Sequence, residues 1–268
     1  MASGYALAEA PVAAPDGGIY FSDVLGGGVY HFSPTSSLVE TVVAKRRGVG
    51  GMALHADGGL VMTGRDVIHV REGESRTLYS DPEVPGLNDL TVDPHGHLIF
   101  GCMRFRPFQG ERPIAGEFIH LDGTVVLSGV LWPNGCAFSP DGRTFYACDY
   151  QRGQVLAVNR TTDGDYGAPR IVVASPSGDA DGMAVDEDGC LWIALGARAS
   201  IGRFTPDGHL DTEVPVDADF VSSLCFAGHD RRDLYITTSG STGDSPARGG
   251  VFLTRSPVAG LALPAVTE

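Results

Sequence analysis

The sequence predicts an all-β fold, a six-bladed β-propeller of four-stranded antiparallel blades, and three observations predict it. A nine-residue pattern recurs six times, each copy is followed by strand-like runs, and helical spacing is almost absent. The pattern reads EAPVAAPDG from Glu9, GGMALHADG from Gly50, NDLTVDPHG from Asn88, NGCAFSPDG from Asn134, DGMAVDEDG from Asp181 and, degenerately, SSLCFAGHD from Ser222. Its copies start 38 to 47 residues apart. A repeat of that length is one supersecondary unit used again and again.

Each unit divides in the same way. The stretch after the first slot (Glu9, Gly50, Asn88, Asn134, Asp181 or Ser222) is an expected inner strand. Asp-Gly, or a near substitute, then supplies the positive φ that a tight hairpin needs. The returning strands are GIYFSDV from Gly18, GLVMTG from Gly59, HLIFGCM from His97, RTFYACD from Arg143, CLWIALG from Cys190 and DLYITTS from Asp233. Third strands follow in GGVYHFS, DVIHVRE, GEFIHLD, GQVLAVN, ASIGRFT and GGVFLTR, and LVETVVA, SRTLYS, TVVLSG and PRIVVAS fit a fourth, outer strand. Short β-branched and aromatic runs bounded by Gly, Pro, Asn and Asp read as strands joined by turns. No dozen residues keep a 3.6-residue apolar period without Gly or Pro interrupting. A closed ring protects the sheet edges, whereas a solenoid needs polar caps and usually shorter repeats. The expectation is one domain over residues 1–268, without an internal linker.

Composition narrows the function. The 268 residues, 43% hydrophobic, can bury a sizeable core. Nineteen Lys and Arg against 33 Asp and Glu give a formal charge of −14. Nucleic acid and anionic membranes are therefore poor partners, since affinity for both comes from basic side chains. MASGYALAEAP has neither the basic nor the apolar region of a secretory signal, and no run is long enough to span a membrane. Cys102, Cys136, Cys148, Cys190 and Cys225 are odd in number, widely spaced and without a CxxC pair, as expected of reduced, buried thiols in a cytoplasmic protein. Outside a secretory route the match Asn159-Arg160-Thr161 to a glycosylation acceptor is chance.

In a propeller the innermost strands line the central channel, so equivalent slots face one another at one mouth. That would gather Glu9, Asn88, Asn134 and Asp181, two carboxylates and two amides. Taken singly, Asn134-Gly135 and Asp181-Gly182 are ordinary turn formers, and Glu9 could be a surface carboxylate. Turn chemistry does not require these residue types in the same slot of successive units. All-oxygen ligation suits one Ca²⁺, Mg²⁺ or Mn²⁺; Zn²⁺ is less expected where no His or Cys holds a slot. The stretch 177–188 approximates a calcium loop but starts on Ser177, ends on Asp188 and has no flanking helices. No GxSxG or Gly-rich phosphate loop is present, and Gly243-Asp244-Ser245 continues with Pro246-Ala247, so covalent serine hydrolysis has no support. His31, His69 and His120 sit in strand runs and are expected on the blades rather than in a site.

With these motifs in order, the chain resembles the regucalcin/gluconolactonase family of metal-dependent six-bladed propellers. The resemblance lies in AEAPV around Glu9, LNDLTVDPHGHLIFGCM from Leu87, PNGCAFSPDGRTFYACD from Pro133, DADGMAVDEDGCLWIA from Asp179, and SSLCFAG with DLYITTS. It implies metal ligands at Glu9, Asn134 and Asp181, a catalytic role for Asp181, Asn88 next to the metal as ligand or substrate contact, a substrate contact at Asp89, and metal-dependent opening of a lactone or related ester, a small-molecule substrate. Two departures stand out: Gly86 holds a place where sugar lactonases of the family often carry Arg, and Ala180 one where Pro is usual. Losing a cationic donor favours a less hydroxylated lactone. The insertion RFRPFQGERPIAG (Arg104–Gly116) is an expected rim or solvated loop, with Arg104 a candidate substrate contact. An isomerase, cyclase or hydratase on the same metal site, and a non-catalytic metal-binding propeller, stand as alternatives, since fold does not fix reaction.

Overall fold

A computed structural model of the chain describes residues 1–161, 164–174, 180–240 and 248–268. Ser177 and Asp179 of the calcium-loop-like stretch, and Gly243-Asp244-Ser245-Pro246-Ala247, lie outside them. Strand β1 (Ala2–Tyr5) comes first. Blade I is β2 (Ala8–Ala13), β3 (Ile19–Asp23), β4 (Val29–Ser33) and β5 (Leu38–Val43). Blade II is β6 (Met52–Leu54), β7 (Leu60–Met62), β8 (Val67–Arg71) and β9 (Glu74–Tyr79). Blade III is β10 (Gly86–Val92), β11 (Leu98–Met103), β12 (Gly116–His120) and β13 (Val125–Val130). Blade IV is β14 (Pro133–Phe138), β15 (Thr144–Asp149), β16 (Gln154–Asn159) and β17 (Arg170–Ala174). Blade V is β18 (Met183–Val185), β19 (Leu191–Ala194), β20 (Ser200–Phe204) and β21 (Leu210–Pro215). Blade VI is β22 (Phe220–Ala227), β23 (Asp233–Ser239) and β24 (Gly249–Arg255), completed by β1 on its outer edge.

The six four-stranded antiparallel sheets form a propeller. Each innermost strand touches the next, from β2 through β6, β10, β14 and β18 to β22 and back to β2. The only helical elements among the described residues are 3-10 turns at Pro107–Gln109 and Tyr150–Arg152. The expected hairpins form as the glycines predict: Gly17, Gly58, Gly96, Gly142 and Gly189 all take positive φ, and each amide donates back to the carbonyl three residues earlier.

The core lies between blades. Phe21 and Phe32 of blade I pack with Tyr235 and Val251 of blade VI, and Val61 and Val67 of blade II with Leu90 and Phe100 of blade III. Comparable clusters fill the other junctions. Burying one such side chain contributes about 1.5–3 kcal/mol, so the ring is held chiefly by its junctions. All five cysteines are free and buried. His69 stacks on His55 with ring centroids 4.0 Å apart, and a ring nitrogen of His120 meets the Leu98 carbonyl at 3.1 Å, so both belong to the blades. Within the calcium-loop-like stretch, Asp186 accepts hydrogen bonds from the backbone of Asp188 and Cys190, the Trp192 indole and Arg203, which is a structural role. No helix among the described residues is long and apolar enough to cross a membrane.

Candidate active site

Four of the six slots coincide with a break in strand register. The β2–β3 ladder shifts between Glu9 and Val12, β10–β11 between Leu87 and Leu90, β14–β15 between Pro133 and Cys136, and β22–β23 between Val221 and Ser223. A bulge at this point re-aims the slot side chain out of the strand alternation, toward the channel. Ala10, directly after Glu9, takes φ 52°, and its amide donates to Glu9 Oε2 at 2.6 Å. A non-glycine residue in left-handed geometry is strained, and the strain sits beside the residue it positions.

A ring of hydrogen bonds ties the blades together at this level. Ser22 Oγ donates to the Val49 carbonyl, the Leu87 amide to the Gly64 carbonyl, and Asn88 Nδ2 to the Pro133 carbonyl. The Gly135 amide donates to the Asp181 carbonyl, the Gly182 amide to the Ser222 carbonyl, and Ser222 Oγ to the Ala8 carbonyl. Ser222 is thus a strut between blades VI and I. Gly50 serves differently, by leaving room. A Cβ there would lie 2.2 Å from Asn88 Oδ1, so only glycine lets the amide sit where it does.

Glu9, Asn88, Asn134 and Asp181 all line one cavity of about 500 Å³ at a channel mouth. Glu9, Asn134 and Asp181 are buried and Asn88 is half-buried. Burial holds the Glu9 carboxyl above the usual carboxylate range; the nearby Asp89 adds to this and the Ala10 amide opposes it. Burial likewise raises Asp89, against a hydrogen bond from the Leu90 amide. Buried carboxylates facing one another are stabilised by a positive charge between them. Among the described residues no three His, Cys, Asp or Glu side chains come together as a metal cluster, so an ion here would rest on the two carboxylates and the amide oxygens. That donor set suits a hard, oxygen-seeking divalent cation.

Two expected contacts lie elsewhere. Asp89 lines a second cavity, of about 400 Å³, which the C-terminal segment 261–265 also borders. Arg104 is not among the residues lining the first cavity; it pairs with Glu117. The inserted loop does reach the mouth, through Phe105, Arg106, Pro107, Phe108 and Gln109. The slot pattern alone does not reach Leu25, Arg65, Trp132, Tyr150 and Phe220, which also line it. They follow the second strand of a blade, precede an inner strand or, for Phe220, open one, so their positions repeat along the chain as the slots do.

The family model for the SMP-30/gluconolactonase/LRE-like region matches residues 7–240. The chain is 31% identical to pentonolactonase XacC of Haloferax volcanii, across 91% of this chain and 85% of that one. It is 28% identical to 6-deoxy-6-sulfogluconolactonase of Pseudomonas putida, across 96% and 94%. Among solved structures, the calcium-binding protein regucalcin of Agrobacterium tumefaciens superposes with a TM-score of 0.86 at 22% identity, covering 99% of this chain and 95% of that one, a likeness of fold.

Proposed function

The chain belongs to the SMP-30/gluconolactonase/LRE-like family, and from that premise we propose that it is a divalent-cation-dependent hydrolase that opens a lactone, or a related ester, at the channel mouth. The observation that carries the reading is the meeting of Glu9, Asn88, Asn134 and Asp181, from four blades, in one cavity. The relatives named lactonases supply the substrate class. Glu9, Asn134 and Asp181 would hold the cation. When bound, it supplies Lewis-acid polarisation of the substrate carbonyl.

The remaining chemistry belongs to the side chains. Asn88, anchored by its hydrogen bond to the Pro133 carbonyl at 2.8 Å, orients the substrate carbonyl. Asp181 either accepts the proton of an attacking water or attacks the carbonyl carbon itself. In the first case the ring C–O bond breaks as the water oxygen adds, and the leaving alkoxide is protonated to give the hydroxy acid. In the second, attack by the Asp181 carboxylate breaks the ring C–O bond, giving an acyl-aspartate and an alkoxide that takes a proton from water; water then cleaves the anhydride to the hydroxy acid and returns the carboxylate. The five buried thiols, raised by burial, accord with a reducing cytoplasm.

Acid release tests the proposal. Chelator-treated protein should release no acid from a panel of sugar, alkyl and aryl lactones, and Ca²⁺, Mg²⁺ or Mn²⁺ should restore release. Cation binding without acid release from any lactone would instead point to a binding propeller or another reaction class.

A further inference from the structure

One wall of the cavity is aromatic, and the cationic side chains that line it are paired within the protein. Trp132 meets Phe105 and Phe108 edge-on, with centroids 5.8 and 6.1 Å apart, and lies 4.6 Å from Tyr150. Phe108 stands on the 3-10 turn of the inserted loop with 63% of its surface exposed. Trp132 takes φ 78°, a strained geometry for a bulky residue, and is held there by its neighbours. The Leu131 amide donates to Asp149 Oδ2, and the Trp132 carbonyl accepts from the Tyr150 amide. The chain therefore bears a local cost to keep an indole at the mouth.

Each of the two guanidinium groups that line the cavity has a partner on the protein. Arg65 donates to the Val84 carbonyl at 2.7 Å and the Asp81 carbonyl at 3.2 Å. Arg106 pairs with Glu111 at 3.1 Å, and its amide donates to the same carboxylate. At Gly86, a Cβ would lie 3.2 Å from the Met103 methyl group, so carbon covers that part of the wall. Hydroxyl groups set against such a wall would lose hydrogen bonds to water without replacement. An apolar group there would cover Phe108 and gain aromatic contacts.

We propose that the lactone taken by this site carries an aryl or bulky alkyl substituent in place of hydroxyls, seated against Phe108 and Trp132, the latter packed on the buried Phe105. The inference rests on the lactone-opening reading above. The cavity, at about 500 Å³, falls within the range of roughly 300–1,000 Å³ that holds drug-sized ligands.

The test compares two non-hydrolysable lactams, one phenyl-substituted and one polyhydroxylated, binding to cation-supplemented protein by calorimetry. Acid release from the matching lactones is read in parallel. The phenyl lactam should bind at least tenfold more tightly, and Phe108→Ser, a change at an exposed site, should weaken it about two- to tenfold. Equal or tighter binding of the polyhydroxylated lactam would overturn the inference, as would phenyl-lactam binding indifferent to Phe108→Ser. Should polyhydroxylated lactones also be opened in that case, the lactone-opening reading survives alone. Should the phenyl lactam bind tightly while no lactone releases acid, the ligand class stands and that reading falls.

Discussion

On the proposed reading Asp181 would have two roles at once, carrying charge to the cation and acting on the substrate. Asp181→Ala should lower turnover by roughly 10²–10⁴-fold, the usual contribution of a positioned acid or base. Cation affinity should fall with it, by roughly 100-fold or more. Calorimetric titration beside acid release reads both, and unchanged affinity with full turnover would remove Asp181 from the site. Glu9 gives a pH prediction with a definite sign. Burial raises its folded-state pKa above the ordinary glutamate value of 4.5, so the folded chain keeps a proton that the unfolded chain has lost. The stability of chelator-treated protein should therefore fall as pH rises above the ordinary glutamate range. Glu9→Gln should flatten that slope, and thermal melts between about pH 5 and pH 8 check it; a slope unaltered by the substitution would show that Glu9 is not its source. At this scale the repeat makes Glu9, Asn88, Asn134 and Asp181 legible, because a shared slot becomes a shared place once the ring closes. It does not resolve Asp89 or Arg104. A residue beside a slot can face the opposite way along the channel, as Asp89 does, and whether Arg104 meets substrate or Glu117 depends on a partner thirteen residues away.

The inner strands are packed closely enough that glycines decide where the polar groups stand. Gly50→Ala would press a methyl group against Asn88, whose Oδ1 lies 2.2 Å and Cα 3.2 Å from the new atom. Overpacking of this kind costs about 1–3 kcal/mol. A lower melting temperature and impaired turnover, with the propeller retained, are the expected outcome. Gly86→Ala is the control: its Cβ meets only the flexible end of Met103, so near wild-type stability is expected. If the two variants melt alike, close packing does not set the slots. Among elements, the second and third strands and four of the outer strands are legible from alternation and turns. The outer strand of blade V, β21 (Leu210–Pro215), is not, since LDTEVP has few apolar residues and a proline at its end. The bulges are hidden too, because register is fixed by pairing between strands and leaves no mark in one strand alone.

The ring is closed by the chain's first residues. β1 pairs with β24, the Met1 amino group donates to the Val251 carbonyl, and Tyr5 packs edge-on against Phe21 at 5.0 Å. The repeated pattern begins only at Glu9, and ASGY is too short and polar to announce a strand; only the ring gives it a partner. Tyr5→Ala should cost about 1–3 kcal/mol, less than a fully buried aromatic because Tyr5 is half-buried. A melting curve checks this, and no loss of stability would mean that the closure carries no load. Ring closure also brings the expected ligands together, since Glu9, Asn134 and Asp181 come from blades I, IV and V and meet nowhere else in the molecule. Anomalous scattering from crystals grown with Mn²⁺ tests that convergence most directly. One strong peak per chain is expected within bonding distance of oxygens of Glu9, Asn134 and Asp181, lost in Asp181→Ala. A peak seated elsewhere, or a cavity floor without one at saturating Mn²⁺, would contradict the shared site.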